Sequence, residues 1–211
     1  MQPASLARTL LLCALFVVIP ASAQGLPRIV EFYFDQDNAA APVELVPADA
    51  PDLVDQLMRQ RERGRRGVEA TLQLAAVAVA QSRPELARTL YGEALAAVSP
   101  GSVLARRAYW NAGWGYWRLG EADQALEAWS RCLDSTRLQP GWAPPTLAMV
   151  LWELGRRDEA VAWYAAAVRT EPDLWRDPGN HARLLPGWQP RELQLLAEVH
   201  QAWQAAPPAW P

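Results

Sequence analysis

The sequence predicts an all-α fold, a solenoid of about three stacked helix pairs with a C-terminal capping helix and a short N-terminal β-strand or hairpin. Three observations point there. From Pro51 onward apolar residues recur at helical spacing, interrupted by Gly and Pro punctuation. The stretch Trp117 to Leu126 returns as Trp152 to Val161, an offset of 35 residues, and a fixed period of that size marks a helical repeat array. Hydrophobic residues make up 51% of the chain and charged residues 20%, a balance that builds a core and excludes a disordered chain.

Residues 1–23 read as a secretory signal. Arg8 lies near the amino end, Leu10 to Ile19 is apolar, Pro20 breaks the run, and Ala21-Ser22-Ala23 precedes a cut at Gln24. Such a run falls short of the roughly 20 residues that span a bilayer. The expectation is therefore a cleaved leader, no stable membrane anchor afterwards, and a periplasmic or secreted protein. Cleavage leaves Cys132 as the single cysteine. No intramolecular disulfide can form, and packing alone must hold the exported domain together. Residues 24–50 are expected to be extended or β. Ile29 to Phe34 alternates, with Val30, Phe32 and Phe34 on one side, and Val43 to Val46 offers a second apolar stretch for a hairpin.

Residues 51–172 form the helical repeat region. Helices are predicted over Asp52 to Arg63, Val68 to Gln81, Glu85 to Val98, Val103 to Leu119, Asp123 to Leu133, Thr146 to Leu154 and Asp158 to Arg169. Gly64, Pro100-Gly101, Gly120 and Gly155 end them, and Pro84 opens the third. Asp123 and Asp158 stand where a short acceptor side chain caps a helix. Short turns between helices of similar length make antiparallel pairs. Residues 173–211 form a Pro- and Trp-rich irregular segment with a short helical turn after Pro178. The capping helix follows over Pro190 to Gln204, with Leu193, Leu196, His200 and Trp203 on one stripe.

The repeated residues resemble the tetratricopeptide repeat (TPR) family. The best copy runs from about Arg106 to Gln139, with Tyr109, Gly113 and Tyr116 on its first helix and Ala125, Trp129 and Cys132 on its second. The next copy, Gly141 to Pro172, keeps Leu147, Ala148, Leu151, Ala160, Tyr164, Ala167 and Pro172. Pro144 replaces its first aromatic, so its first helix should begin late. A weaker copy spans Val68 to Gly101 through Leu74, Ala75, Ala87, Tyr91 and Ala94, with an insertion near Ser99 to Ser102. The resemblance implies a protein–protein interaction scaffold whose first helices line a concave groove.

Charge and motifs narrow the function further. A net charge of -3 argues against a nucleic-acid partner. Arginine supplies all 20 cationic side chains, a coding habit associated with GC-rich bacterial genomes. No nucleophile elbow, metalloprotease helix, phosphate loop or Cys-x-x-Cys is present. The expectation is no enzyme activity, no cofactor and no metal. His181 and His200 read as structural or surface histidines, Cys132 as a packed thiol, and the Arg59 to Arg66 cluster as a solvated helix face.

All 11 tryptophans lie at or beyond Trp110. Trp110, Trp114 and Trp117 follow helical spacing one residue after Tyr109, Gly113 and Tyr116, about 100° around the same helix. Met149 and Trp152 take equivalent places in the next copy, and Trp142 precedes that helix. Arg107 and Arg118 flank the stripe and can hold a carboxylate or stack on a ring. The resemblance implies that this stripe, comprising Arg107, Trp110, Trp114, Trp117, Arg118, Trp142, Met149 and Trp152, is the groove for a protein or peptide partner. Two other fates stand beside it. The chain's own ends can fill the groove, or the stripe and the N-terminal strand can join two copies as a homodimer.

Overall fold

The computed structural model describes residues 25–31, 37–134, 136 and 139–209. The secretory signal expected over residues 1–23 lies outside the described residues. Among the described residues ten α-helices follow in order: α1 Leu53–Glu62, α2 Gly67–Ala80, α3 Pro84–Ala96, α4 Val103–Arg118, α5 Ala122–Asp134, α6 Ala143–Glu153, α7 Arg157–Thr170, α8 Pro172–Trp175, α9 His181–Leu184 and α10 Pro190–Ala205. The pairs α2/α3, α4/α5 and α6/α7 are antiparallel hairpins, and each first helix after α2 stacks on the preceding pair. α1 packs on α2 at one end of the stack, and α10 closes the other end against α6 and α7. Among the described residues no helix is long and apolar enough to cross a membrane.

The turns follow the sequence. Gly120 and Gly155 sit just past α4 and α6 at φ of 80° and 74°, the left-handed conformation that only glycine adopts without strain. Ser102 caps α4, its side chain accepting from the Ala105 N–H at 3.0 Å. The insertion near Ser99 to Ser102 is thus the loop that starts the second pair. Asp123 and Asp158 are not caps: α5 begins at Ala122 and α7 at Arg157, so both aspartates lie inside the first turn. There they face the positive end of the helix dipole instead of accepting from free amides. α6 does not begin late either. It starts at Ala143, because Pro144 and Pro145 fall in the first turn, where a helix needs no N–H from them.

The expected N-terminal hairpin does not form among the described residues. No β-strand forms among the described residues, and Phe32 and Phe34 lie outside them. Val43 to Val46 is described and irregular. Its backbone groups pair with side chains of the helical body instead of with a second strand, and a lone extended segment has no ladder to join.

Two apolar clusters fill the interior and meet at Tyr116. One surrounds Leu57, Leu72, Tyr91 and Ala112; the other surrounds Trp114, Trp129, Met149, Trp163 and Leu196. Close packing between pairs depends on two glycines in α4. A Cβ on Gly113 would overlap the Trp129 ring, and one on Gly115 would overlap the Tyr91 ring.

The segment after α7 is more helical than its Pro, Gly and Asp content suggests, with α8, a 3₁₀ turn over Pro178–Asn180 and α9. It is anchored by a buried aromatic knot. The Tyr164 hydroxyl donates to the Trp175 carbonyl at 2.7 Å. Its oxygen therefore accepts from His181 Nε2, 2.9 Å away. His200, on α10, donates Nε2–H to the Arg176 carbonyl at 3.0 Å. The two imidazole rings, one on α9 and one on α10, pack edge to face with centroids 6.0 Å apart. Trp203 completes the knot against Tyr164.

Candidate functional site

The first-helix face of the stack carries an irregular stretch of the chain itself. Residues 41–46 cross α4 and then α2, held by two side-chain amides. Asn111 Oδ1 accepts from the Val43 N–H at 3.1 Å, and Asn111 Nδ2 donates to the Ala41 carbonyl at 3.0 Å. On α2, Gln73 Oε1 accepts from the N–H groups of Leu45 and Val46 at 2.7 and 3.1 Å. Gln73 Nε2 returns a bond to the Val46 carbonyl. Each amide thus pairs with both a donor and an acceptor of the main chain and reads no side chain. Val46 is buried, and Val43 and Leu45 pack half-buried against the same cluster.

Gln73 is itself buried, in a helix otherwise rich in Ala, Val and Leu. Gln73→Ala strands two N–H groups and one carbonyl, and is expected to destabilise the protein by about 2 kcal/mol. Amide exchange should accelerate at Leu45 and Val46, while the α5 and α7 amides stay protected. Uniform acceleration across all helices would contradict a local clamp.

The tryptophan stripe is covered, not open to solvent. Trp114 is 8% exposed and Trp117 4%, and Met149 is fully buried. Trp188, in the loop before α10, packs edge-on against Trp114 with centroids 5.6 Å apart. Trp117 donates to Glu192 Oε1 at 3.0 Å and Trp152 to Glu198 Oε2 at 2.9 Å, both acceptors on α10. At the other side Trp142 lies 3.4 Å from Asp37 Oδ2, and Arg106 approaches the same aspartate at 3.7 Å. Trp110 is half-buried against Trp114. Arg157 stacks on the Trp152 ring, its Cζ 3.7 Å from the centroid. Arg107 is half-buried one turn before Asn111, to whose Nδ2 it offers its carbonyl. Asp37 to Val46 on one side and Trp188 with α10 on the other therefore lie against residues read from sequence as the partner groove.

Arg118 is the member of that set left exposed. It sits over the Trp114 ring with its Cζ 5.8 Å from the centroid. It borders a cleft of about 500 Å³ between the C-terminal halves of α2 and α4 and the start of α10, lined by Ala76, Val79, Tyr91, Trp117, Arg191 and Glu192 among others. Gln73, Asn111, Arg191 and Glu192 were not singled out from the sequence. The available signal was a lone amide on each of two otherwise apolar or aromatic helix faces.

Chemistry elsewhere is muted. Cys132 is buried, and burial, reinforced by the Asp37 charge, pushes its thiol up to about 12. A thiol with so little thiolate is a packing group. Among the described residues no cluster of three or more His, Cys, Asp or Glu is placed to hold a metal ion.

No curated protein matches the chain. Two family models do, both described as tetratricopeptide repeat, over residues 67–137 and residues 146–174. The first spans α2 to α5 and the second most of α6 and α7, the three hairpins of the stack. Over these residues the chain is built of tetratricopeptide repeats.

Proposed function

We propose that the protein is an exported, non-catalytic interaction scaffold that takes a peptide or protein segment across its first-helix face. Tetratricopeptide repeats support the coarser part, a protein–protein interaction scaffold. The observation that carries the finer part is the pair of amides at Gln73 and Asn111. They bind main-chain donors and acceptors of the chain's own irregular residues 41–46. Recognition of main chain is indifferent to sequence, so a partner segment satisfies the same amides once residues 41–46 leave. The chain's own segment then acts as a competitor with a high effective concentration.

The test leaves the amides intact and weakens only the competitor. Val43→Pro with Leu45→Pro removes two N–H donors from the segment. Capture of envelope proteins by the full-length mature protein should rise in this variant and fall back when Gln73→Ala is added. Unchanged capture in both variants defeats the proposal. Sedimentation of the proline variant separates the occupants: a dimer means that the segment taken is a second copy's, a monomer that it is a different protein's.

A further inference from the structure

We infer that a cleft of about 340 Å³ between the second helices of the first two hairpins, α3 and α5, is a binding site for a neutral saccharide. Helical spacing builds it. Gln124, Glu127, Ala128 and Arg131 recur at i, i+3, i+4 and i+7, so they form one stripe along α5. Tyr109 and Tyr116 stand two turns apart on one face of α4 and line the same cleft, which Leu95 and Ala96 close from the end of α3. One small residue keeps the space open. Ala128 stands where the next copy, 35 residues on, has Trp163. Leu133 follows Leu95 by 38 residues, as Ala125 follows Ala87. At that next junction the space lined by Leu133 and Trp163 shrinks to about 130 Å³, and Trp163 is buried.

The lining mixes apolar bodies with polar tips. Tyr109 and Tyr116 are half-buried, and each offers both a ring and a hydroxyl. The two charges are each other's partners: Arg131 donates to Glu127 at 2.7 Å and also reaches the Tyr109 hydroxyl. Side by side they cancel, so a net charge on the ligand gains little. The Tyr116 hydroxyl and the Gln124 amide have no hydrogen-bond partner among the described residues. Phenol, amide, carboxylate and guanidinium together supply donors and acceptors. Vicinal hydroxyls need that set, because each both gives and takes a hydrogen bond. Leu95, Ala96, Ala128 and the tyrosine rings suit the C–H face of a pyranose. A purely apolar ligand would cover the polar tips without pairing them. The volume lies near the small end of the roughly 300–1,000 Å³ range of ligand sites, which suits a sugar ring better than a polypeptide. The site shares no residue with the tryptophan stripe or the amide clamp, so it does not rest on the scaffold reading.

Calorimetric titration of the full-length mature protein with cellobiose and with N,N′-diacetylchitobiose tests the site. Binding of either disaccharide is expected with a Kd on the order of 1 mM. Sorbitol, which has the hydroxyls without the ring, should bind at least about tenfold more weakly. Tyr116→Phe keeps the ring and removes the hydroxyl, and Gln124→Ala removes the amide; each should weaken the disaccharide about fivefold. Ala128→Trp, which copies the next repeat, should abolish binding. Gln124 is exposed and Tyr116→Phe conserves the ring, so both variants should keep the parent's circular dichroism and decide the matter even where Ala128→Trp disturbs the fold. No binding of either disaccharide, sorbitol binding as tightly, or unchanged affinity in both Tyr116→Phe and Gln124→Ala each overturns the inference.

Discussion

Replacing Gly113 and Gly115 together by alanine lowers stability by about 4 kcal/mol and the melting temperature by about 10 °C. Alanine normally favours a helix interior over glycine by about 1 kcal/mol, so the sign is diagnostic. Each new methyl group would overlap a ring, Trp129 for Gly113 and Tyr91 for Gly115. Both rings are buried, Trp129 at 0% and Tyr91 at 2% exposure, and the surrounding helices leave neither ring a free rotamer to move into. The two clashes involve different partners, so their costs add. Gly92→Ala is the control. It lies exposed on α3, and a Cβ there meets nothing within 4 Å, so that substitution should stabilise by about 1 kcal/mol. Thermal melts followed by circular dichroism at 222 nm decide the matter. Stabilisation by the α4 pair would mean that the helices do not approach so closely.

Acidification should loosen the C-terminal cap. Burial, helped by the neighbouring His200 ring and opposed by Asp177, holds His181 down at about 4 against an ordinary 6.5. His200 reaches it from α10 and Tyr164 from α7. The unfolded chain therefore takes up a proton near pH 6.5 that the folded chain refuses until about pH 4. Between those values the unfolded state binds more protons, so stability is whole above pH 6.5 and declines as pH falls towards 4. The total loss is about 3 kcal/mol. Urea unfolding at pH 7.5, 5.5 and 4 measures it, and His181→Phe should flatten the profile by removing the titrating group. A profile equally steep in that variant would place the pH sensitivity elsewhere. Fluorescence of Trp175 and Trp203, which border the knot, should change over the same interval.

The helices and their turns were legible because their signals are local. The 35-residue offset, Gly120 and Gly155 in matching places, and prolines at first turns are each read within a few residues. The role of Gly113 was equally legible, since a small residue facing an aromatic one recurs in every copy. The misreadings share a cause as well. Asp123 and Asp158 were displaced from capping by a helix starting one or two residues earlier, and first-turn prolines made α6 begin at Ala143 despite looking like breakers. Val43 to Val46 has strand-like composition, yet its hydrogen bonds go to Gln73 and Asn111. Composition reports that a backbone wants partners, not which ones it finds.

Taken by itself, the sequence determined the helical repeat, its period and the existence of a tryptophan stripe on a first helix. Periodicity says that Trp114 and Trp117 share a face, because residues three and four apart lie together on a helix. It does not say what lies opposite that face. The tertiary structure decided this by bringing Trp188 and Glu192 over the stripe from one end of the chain and Asp37 to Val46 over its neighbours from the other. Those partners lie 75 residues from Trp117 and 105 from Trp142, beyond the reach of any local pattern. The Arg118 cleft lies between them, bounded among the described residues by the segment on Gln73 and by the start of α10.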